Sequence, residues 1–525
     1  MIKIIFILIF KITSLSADIN KSELPIGLTD KEKLRIDEIS LMARNTDPPI
    51  GPLRNVSEFE RMQGVLIRYP FGISNEIISE MSEDVKVYCL VSSSLETAAY
   101  NSMNNSGVNM NNVEFILGQT DSYWTRDYGP WWVIDGQRNM SVVDFTYNRP
   151  RPNDNDEPLK VSDYLEVPFY ASDIIHAGGN YMTDGLGISA SSDLVFLENE
   201  ALDSIIFDLM HDYYGIQTYH VIDDPNNTYI DHIDCWGKYL SPTKVLIREV
   251  PENHPQYEMI EETATYFLNT LNKWGEPWEL FRVWTPNNQP YTNSLIINQK
   301  ILVPVTGSSF DEEALLAYQE AMPGYEILGF SGTWESTDAL HCRIKGIPDL
   351  QMLQIFHNPI NDGTIPSENG YLVDVLIDDL SESGLIDDSL SIVWKTSLMD
   401  DWNEAALFHD IENINSFSGW IPPQTDLRII EYFIKATDFS GRSEQHPIAG
   451  WHSFEAMPSD ACVEWILGDL DNSFNLNILD VLLMSDYIAD TEVNGLCLEL
   501  VSDINNDNSI TILDLIYLTN MIMNP

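Results

Sequence analysis

From about residue 49 to 356, short β-rich runs such as GVLIRYP, VKVYCLV, KVLIREV and SLIINQKILVPV alternate with helical stretches such as DEEALLAYQEAM. That alternation constrains the chain more than any other feature, because strand runs interleaved with amphipathic helices specify an α/β fold. Two architectures satisfy it, a doubly wound sheet and a ring of repeated units, and periodicity does not choose between them. With 525 residues the chain is too long for one core. From about 357 to 456 the texture changes to short strands with turn signals (YLVDVLI, LSIVWKTS, RIIEYFIKATDFSGRSEQH), which predicts a separate β-sandwich.

The N-terminus carries Lys3, an apolar run from Ile4 to Phe10 and a small-residue stretch ending at Ala17, the pattern of a secretory signal over 1–17. Residues 18–48 are polar, lack strand alternation, and read as a pro-segment or mobile leader. No stretch approaches the roughly 18 apolar residues of a membrane-spanning helix, so a secreted or cell-surface protein is expected. The balance of 28 Lys+Arg against 81 Asp+Glu, a net charge of −53, disfavours nucleic acid and anionic membranes. It admits a cationic ligand, although a solvated acidic surface is the better account of most of it. Five cysteines, Cys89, Cys235, Cys342, Cys462 and Cys497, leave at least one thiol unpaired in an exported chain.

The region 460–525 repeats itself: GDLDNSFNLNILDVLLMSDYI and SDINNDNSITILDLIYLTNMI align at a period of 34 residues. Oxygen-bearing residues fall at loop positions 1, 3, 5 and 12, namely Asp469, Asp471, Ser473 and Asp480, then Asp503, Asn505, Asp507 and Asp514. Position 7, Asn475 or Ser509, adds a carbonyl, which gives the hard-oxygen set that calcium prefers. Position 6 is Phe474 and Asn508 where glycine usually makes the sharp turn, and Ser473 is a weak ligand, so the second loop is expected to bind better. Two such loops, each followed by an amphipathic helix, resemble a type I dockerin; the resemblance implies bound calcium and a cohesin-like or cell-surface partner. A disulfide between Cys462 and Cys497 would staple this small-cored module.

Four stretches place polar groups in apolar or glycine-rich settings: WTRDYGP (124–130), HAGGNYMTDGLG (176–187), TYIDHIDCW (228–236) and DALHCRIKGIPD (338–349). Singly each is weak. Together they supply what is needed to attack a cationic carbon. A guanidinium is held by carboxylates on its nitrogen edges, for which Asp127 and Asp234 serve, while a thiolate, Cys342, reaches its central carbon. His232 shares a face of an extended segment with Asp234, and so can protonate a leaving ammonia and then deprotonate water.

These blocks, with DFTYNRPRPNDND and YTNSL, closely resemble the bacterial peptidylarginine deiminases, relatives of agmatine deiminases in the guanidino-group-modifying superfamily. The resemblance runs from about Pro49 to Pro348 and continues into the sandwich, which in the secreted enzymes is immunoglobulin-like. It implies a five-fold pseudosymmetric α/β propeller, a covalent thiouronium on Cys342, no catalytic cofactor, and arginine-containing peptides or proteins as partners. It also makes Asn293 a supporting polar residue, places Trp124 beside the arginine stem and Tyr229 near the bound residue's backbone, and leaves Asn180 and Asp184 as scaffold.

Arg149 and Arg151 occupy alternate positions of an extended run stiffened by prolines, so both side chains share a face and can clamp a carboxylate. In the resembling enzymes such a pair accepts the substrate's C-terminal carboxylate. A structural alternative has them neutralise Asp154, Asp156 and Glu157. Other functional readings are an agmatine deiminase-like small-molecule hydrolase, a secreted cysteine protease, and a non-catalytic binding protein.

Overall fold

The computed structural model describes residues 24–199, 203–399, 401–410, 413, 415–458, 466–471, 473–489, 496–505 and 509–523. The signal read at 1–17 and the start of the leader lie outside them. The chain divides into two compact units: residues 1–352 with 448–450, and 353–447 with 451–525. The first boundary falls slightly before the expected 356, because Leu353–Phe356 pairs antiparallel with Tyr371–Asp379 and so belongs to the β-rich unit.

Five separate sheets build the first unit, which excludes a doubly wound sheet. Each contains the same small motif: a short strand, an antiparallel neighbour, a helix, and a third strand parallel to the second. Gly237–Tyr239, Lys244–Glu249, helix Tyr257–Leu268 and Glu279–Trp284 are one copy. Leu295–Ile297, Lys300–Val305, helix Asp311–Ala321 and Glu326–Ser331 are another. Two further copies start at Trp131–Ile134 and at Met182–Thr183. In the fifth, Lys345–Pro348 pairs antiparallel with Met62–Arg68, which runs parallel to Lys86–Val91, so the motif is assembled from both ends of the unit. Helices cover sheet faces through apolar cores; Ile260, Ala264 and Phe267, spaced for one face of Tyr257–Leu268, pack with Val245 and Ile247.

The described part of the leader is packed on the first unit. Short 3-10 turns at Glu32–Glu38 and Ser40–Met42 lie on the first unit, and Thr46 donates its amide to the Ala171 carbonyl at 3.0 Å. Arg44 pairs with Asp144 and Asp156. Part-buried ion pairs and a backbone bond tie this polar stretch to the first unit.

In the second unit two antiparallel sheets share one core. Tyr371, Val373, Val375 and Ile377 alternate inward from one, and Ile430, Tyr432, Ile434 and Ala436 from the other. The last segment forms helices Ile478–Ile488, Leu496–Ser502 and Ile512–Met523 around Leu470, Met484, Val501 and Leu518. Cys497 is disulfide-bonded, while Cys462 lies outside the described residues. Among the described residues no helix is long and apolar enough to cross a membrane.

Candidate active site

Each of the five motifs is preceded by a tight turn, and these turns carry the site. Thr125–Tyr128 presents Asp127, Gly178–Asn180 precedes Met182, Ile233–Cys235 presents Asp234, Asn293 precedes Leu295, and His341–Arg343 presents Cys342. Such a turn leaves a side chain at a strand's entry, so four corners supply five polar groups to one buried cluster and the fifth supplies Gly179 beneath them.

The cluster is built over Gly179. A Cβ there would lie 2.6 Å from Asp127 Oδ1, 2.7 Å from His232 Nδ1 and 3.2 Å from Asp234 Oδ2, so only glycine fits beneath the three groups. Asp127, His232, Asp234, Asn293 and Cys342 are all at most 3% exposed. Both Asp127 oxygens and both His232 nitrogens lack a hydrogen-bond partner, although His232 Nδ1 stands 3.6 Å from Asp127 Oδ1. Buried polar atoms are seldom left this way. Acceptors grouped around one point suit a planar cation rich in N–H donors.

Cys342 Sγ accepts from Asn293 Nδ2 at 3.2 Å and donates to Asp234 Oδ2 at 3.5 Å. Asn293 Oδ1 in turn accepts the amides of His341 and Cys342, at 3.0 and 3.3 Å, which fixes the turn that carries Cys342. Asn180 Oδ1 accepts from Ser192 N at 2.8 Å and Ile233 N at 3.3 Å, steadying the His232–Asp234 loop. Asp184 Oδ1 accepts the amides of Leu186 and Ile188 and shapes a hairpin. Both act as scaffold.

The electrostatics differ from residue to residue. Burial first, then the Asp234 carboxylate, pushes Asp127 well above the ordinary carboxylate range, with Arg149 opposing. Burial alone would raise Asp234 too; the hydrogen bond and charge of His341 outweigh it and hold Asp234 low. Burial drives His232 down to about 3, so its ring is neutral. Burial and the carboxylates of Asp234, Asp127 and Asp338 push the Cys342 thiol well up. Cys342 is therefore a thiol here, and a cation seated between the carboxylates is what would favour its thiolate.

Two residues whose roles the sequence did not disclose, His341 and Glu58, support Asp234. His341 Nδ1 lies 2.7 Å from Asp234 Oδ2 and its Nε2 2.6 Å from Glu58 Oε2. Glu58 also pairs with Arg126 at 2.8 Å and Lys238 at 3.0 Å. Burial, then the Arg126 guanidinium, holds the His341 pKa below the ordinary histidine value, with Glu58 and Asp234 opposing. An ionised carboxylate only accepts, so the two short contacts together call for the doubly protonated ring, and this geometry outweighs the lowering by burial. Arg126 is thus tied to this ionic cluster and to the Ile344 carbonyl at 3.2 Å.

The remaining expected residues are placed differently. Trp124 is buried, with the chain's own Arg343 guanidinium 5.4 Å from its ring. Tyr229 is 69% exposed. Arg149 and Arg151 do not hydrogen-bond Asp154, Asp156 or Glu157, which instead take Ser122, Arg44 and Lys160. Arg149 Nε donates to the Ile26 carbonyl at 3.0 Å, and Arg151 Nε to Glu32 Oε1 at 2.8 Å. Both side chains therefore meet the leader. In the C-terminal module, carboxylate oxygens of Asp469, Asp471 and Asp480 lie within 4.8 Å of one another. Phe474 adopts a left-handed φ of 61°, making the turn that glycine usually makes. The first loop thus has a convergent acidic set despite its departures; in the second, Asp507 lies outside the described residues.

The family profile of the Porphyromonas-type peptidyl-arginine deiminases matches residues 72–348. A Yersinia pseudotuberculosis protein provisionally named an agmatine deiminase is 27% identical over 264 residues, 42% of this chain and 72% of that protein. Among solved structures, a provisionally named arginine deiminase of Porphyromonas gingivalis has a TM-score of 0.51 at 16% identity, over 56% of this chain and 98% of that one. The agmatine deiminase of Enterococcus faecalis has a TM-score of 0.50 at 18% identity, over 58% and 99%.

Proposed function

Since the chain belongs to the Porphyromonas-type peptidyl-arginine deiminase family, we propose that it converts peptide arginine, preferentially C-terminal arginine, to citrulline and ammonia. It is a hydrolase acting on C–N bonds of linear amidines. The observation that carries the reading is the convergence of Asp127, His232 and Asp234 over Gly179 beside the Cys342 thiol.

The guanidinium lies between the Asp127 and Asp234 carboxylates, which hold its N–H edges and its charge. That charge lowers the thiol's pKa, and the Cys342 proton passes to the neutral His232 ring. Sγ then bonds to the central carbon. His232 returns the proton to the departing nitrogen, the C–N bond breaks, and ammonia leaves a cationic thiouronium on Cys342. His232 next takes a proton from water, the oxygen attacks the same carbon, and the C–S bond breaks to release citrulline. Asn293 keeps Sγ oriented throughout. No step needs a cofactor.

Arg149 and Arg151 receive the peptide's C-terminal carboxylate, and Tyr229 meets its backbone. The five motifs are blades of a pseudosymmetric propeller, and the two-sheet unit is an immunoglobulin-like domain. Export to the cell exterior follows from the N-terminal signal pattern. The C-terminal loops hold calcium through Asp469, Asp471, Ser473, Asn475 and Asp480, and through Asp503, Asn505, Asp507, Ser509 and Asp514, and the module attaches to a cohesin-like or surface partner. The acidic set of the first loop suits that ion.

Agmatine is the second reading, favoured by the names of the relatives. A citrulline assay on peptides with C-terminal arginine and with internal arginine, run beside carbamoylputrescine detection from agmatine, separates the two. Turnover should vanish in Cys342→Ala. Arg149→Ala and Arg151→Ala should harm the C-terminal-arginine peptide most; equal losses on all three substrates would remove the clamp from the reading. Peptide-bond cleavage without ureido product would instead indicate a protease, and no turnover a binding protein.

A further inference from the structure

The two arginines assigned to the substrate carboxylate are already engaged by the chain itself. Glu32 Oε1 accepts from Arg151 Nε at 2.8 Å, and Arg151 Nη2 donates to the carbonyls of Pro25 at 2.7 Å and Gly27 at 3.1 Å. Arg149 Nε donates to the Ile26 carbonyl at 3.0 Å. One carboxylate and three main-chain carbonyls thus fill the clamp, the chemistry a peptide's C-terminal end would bring.

The occupying segment is held in shape. Thr29 donates its amide and hydroxyl to Glu32 Oε2, both at 2.8 Å, and Glu32 N donates back to Thr29 Oγ1 at 3.2 Å. Ile26 and Glu32 are 3% and 5% exposed. Gly27 presses on Tyr229 so closely that a Cβ would lie 2.7 Å from its ring. The segment therefore also touches the aromatic assigned to the substrate backbone, while leaving much of it exposed. The clamp lies within electrostatic reach of the cluster: the Arg149 charge acts on both Asp127 and His232. Just beyond Glu32 the chain returns to the surface, and Lys31, Lys33 and Arg35 are exposed, within reach of a protease that cuts after basic residues.

We propose that residues 24–32 are an internal inhibitor that occupies the carboxylate clamp, with Glu32 standing in for a substrate's C-terminal carboxylate, and that cleavage of the leader near Lys31–Arg35 opens the site to peptides. The inference rests on the reading that Arg149 and Arg151 bind the substrate carboxylate. Before cleavage the enzyme is latent toward peptides ending in arginine. A small guanidine such as agmatine, which brings no carboxylate, competes with Glu32 far less.

The test uses the full chain. Glu32→Ala removes the stand-in carboxylate, and Gly27→Val drives the segment off Tyr229 without touching either arginine. In each, kcat/KM for a C-terminal-arginine peptide should rise roughly tenfold to a hundredfold, the scale of a hydrogen bond to a charged group, while agmatine turnover changes less than threefold. Limited trypsin treatment, with cleavage at Lys31, Lys33 or Arg35 followed by mass spectrometry, should raise peptide turnover in step with cutting. Agmatine turnover reports folding, so if one variant loses it, the other and the nicked wild type decide. Wild-type peptide turnover equal to that of the variants and of the nicked chain would overturn the inhibitor and leave the deiminase reading intact. Absence of ureido product from every substrate, in every form, would overturn the deiminase reading itself.

Discussion

His341 Nδ1 stands 2.7 Å from Asp234 Oδ2, the same oxygen that receives the Cys342 thiol at 3.5 Å. The residue before the nucleophile therefore orients the carboxylate that the nucleophile faces, and Glu58 orients that residue in turn. His341→Gln keeps some hydrogen-bonding capacity but loses the charge and the double contact. We expect kcat to fall about 10- to 100-fold, the scale of a charge-assisted hydrogen bond, with KM changed less than threefold. Steady-state kinetics on the preferred substrate checks this; a loss confined to KM would place His341 in binding instead.

Gly179 has no room for a methyl group, since its Cβ would intrude between Asp127, His232 and Asp234 at 2.6, 2.7 and 3.2 Å. Gly179→Ala should cost at least about 100-fold in kcat/KM, because reacting groups displaced by a fraction of an ångström lose their alignment. The thermal midpoint, measured beside the kinetics, should shift by no more than a few degrees. Near wild-type turnover would show that the three groups need not converge there.

Burial and nearby carboxylates hold the Cys342 thiol well above its usual range. A raised pKa means that the thiolate fraction is small at neutral pH and grows about tenfold per pH unit until the pKa is reached. Iodoacetamide labelling of Cys342, followed by mass spectrometry, should accelerate in that way from pH 7 to 9 without levelling. A plateau below pH 8 would mean that the thiolate is already stabilised without substrate.

In the two-sheet unit burial lowers His357 to about 4 and His446 to about 3. Unfolded histidine titrates near 6.5, so between these values the unfolded chain binds the extra protons and stability falls as pH falls. Each histidine contributes up to about 1.4 kcal/mol per pH unit in that window. The raised carboxyl of Asp374 opposes this in part. Calorimetry of the full chain at pH 7.5, 6 and 4.5 should show the transition of this unit moving down, and less so in His446→Gln. A transition that stays fixed across the series would contradict the assignment.

Asp127, Asp234, His232 and Cys342 were legible because each is an ionisable group in an apolar or glycine-rich run. Glu58 was not, since NVSEFERM reads as surface and its partners His341 and Lys238 come from a distant turn and a distant strand. The five-fold motif was equally hidden. Its corners, TRDY, GGN, IDC, TNS and HCR, share a position before a strand and no residue type. The arginine pair was visible on one face, but its partner depended on where a polar leader docks, which composition does not record.

Cys342 lies three residues before Lys345–Pro348, the strand that pairs with Met62–Arg68 near the start of the unit. During synthesis, every other member of the cluster leaves the ribosome before the nucleophile does. The thiol is fixed only after the last strand has been translated and has found one made much earlier, a long-range pairing of the slow kind. A truncated or stalled chain thus carries Asp127, His232 and Asp234 without the Cys342 thiol beside them.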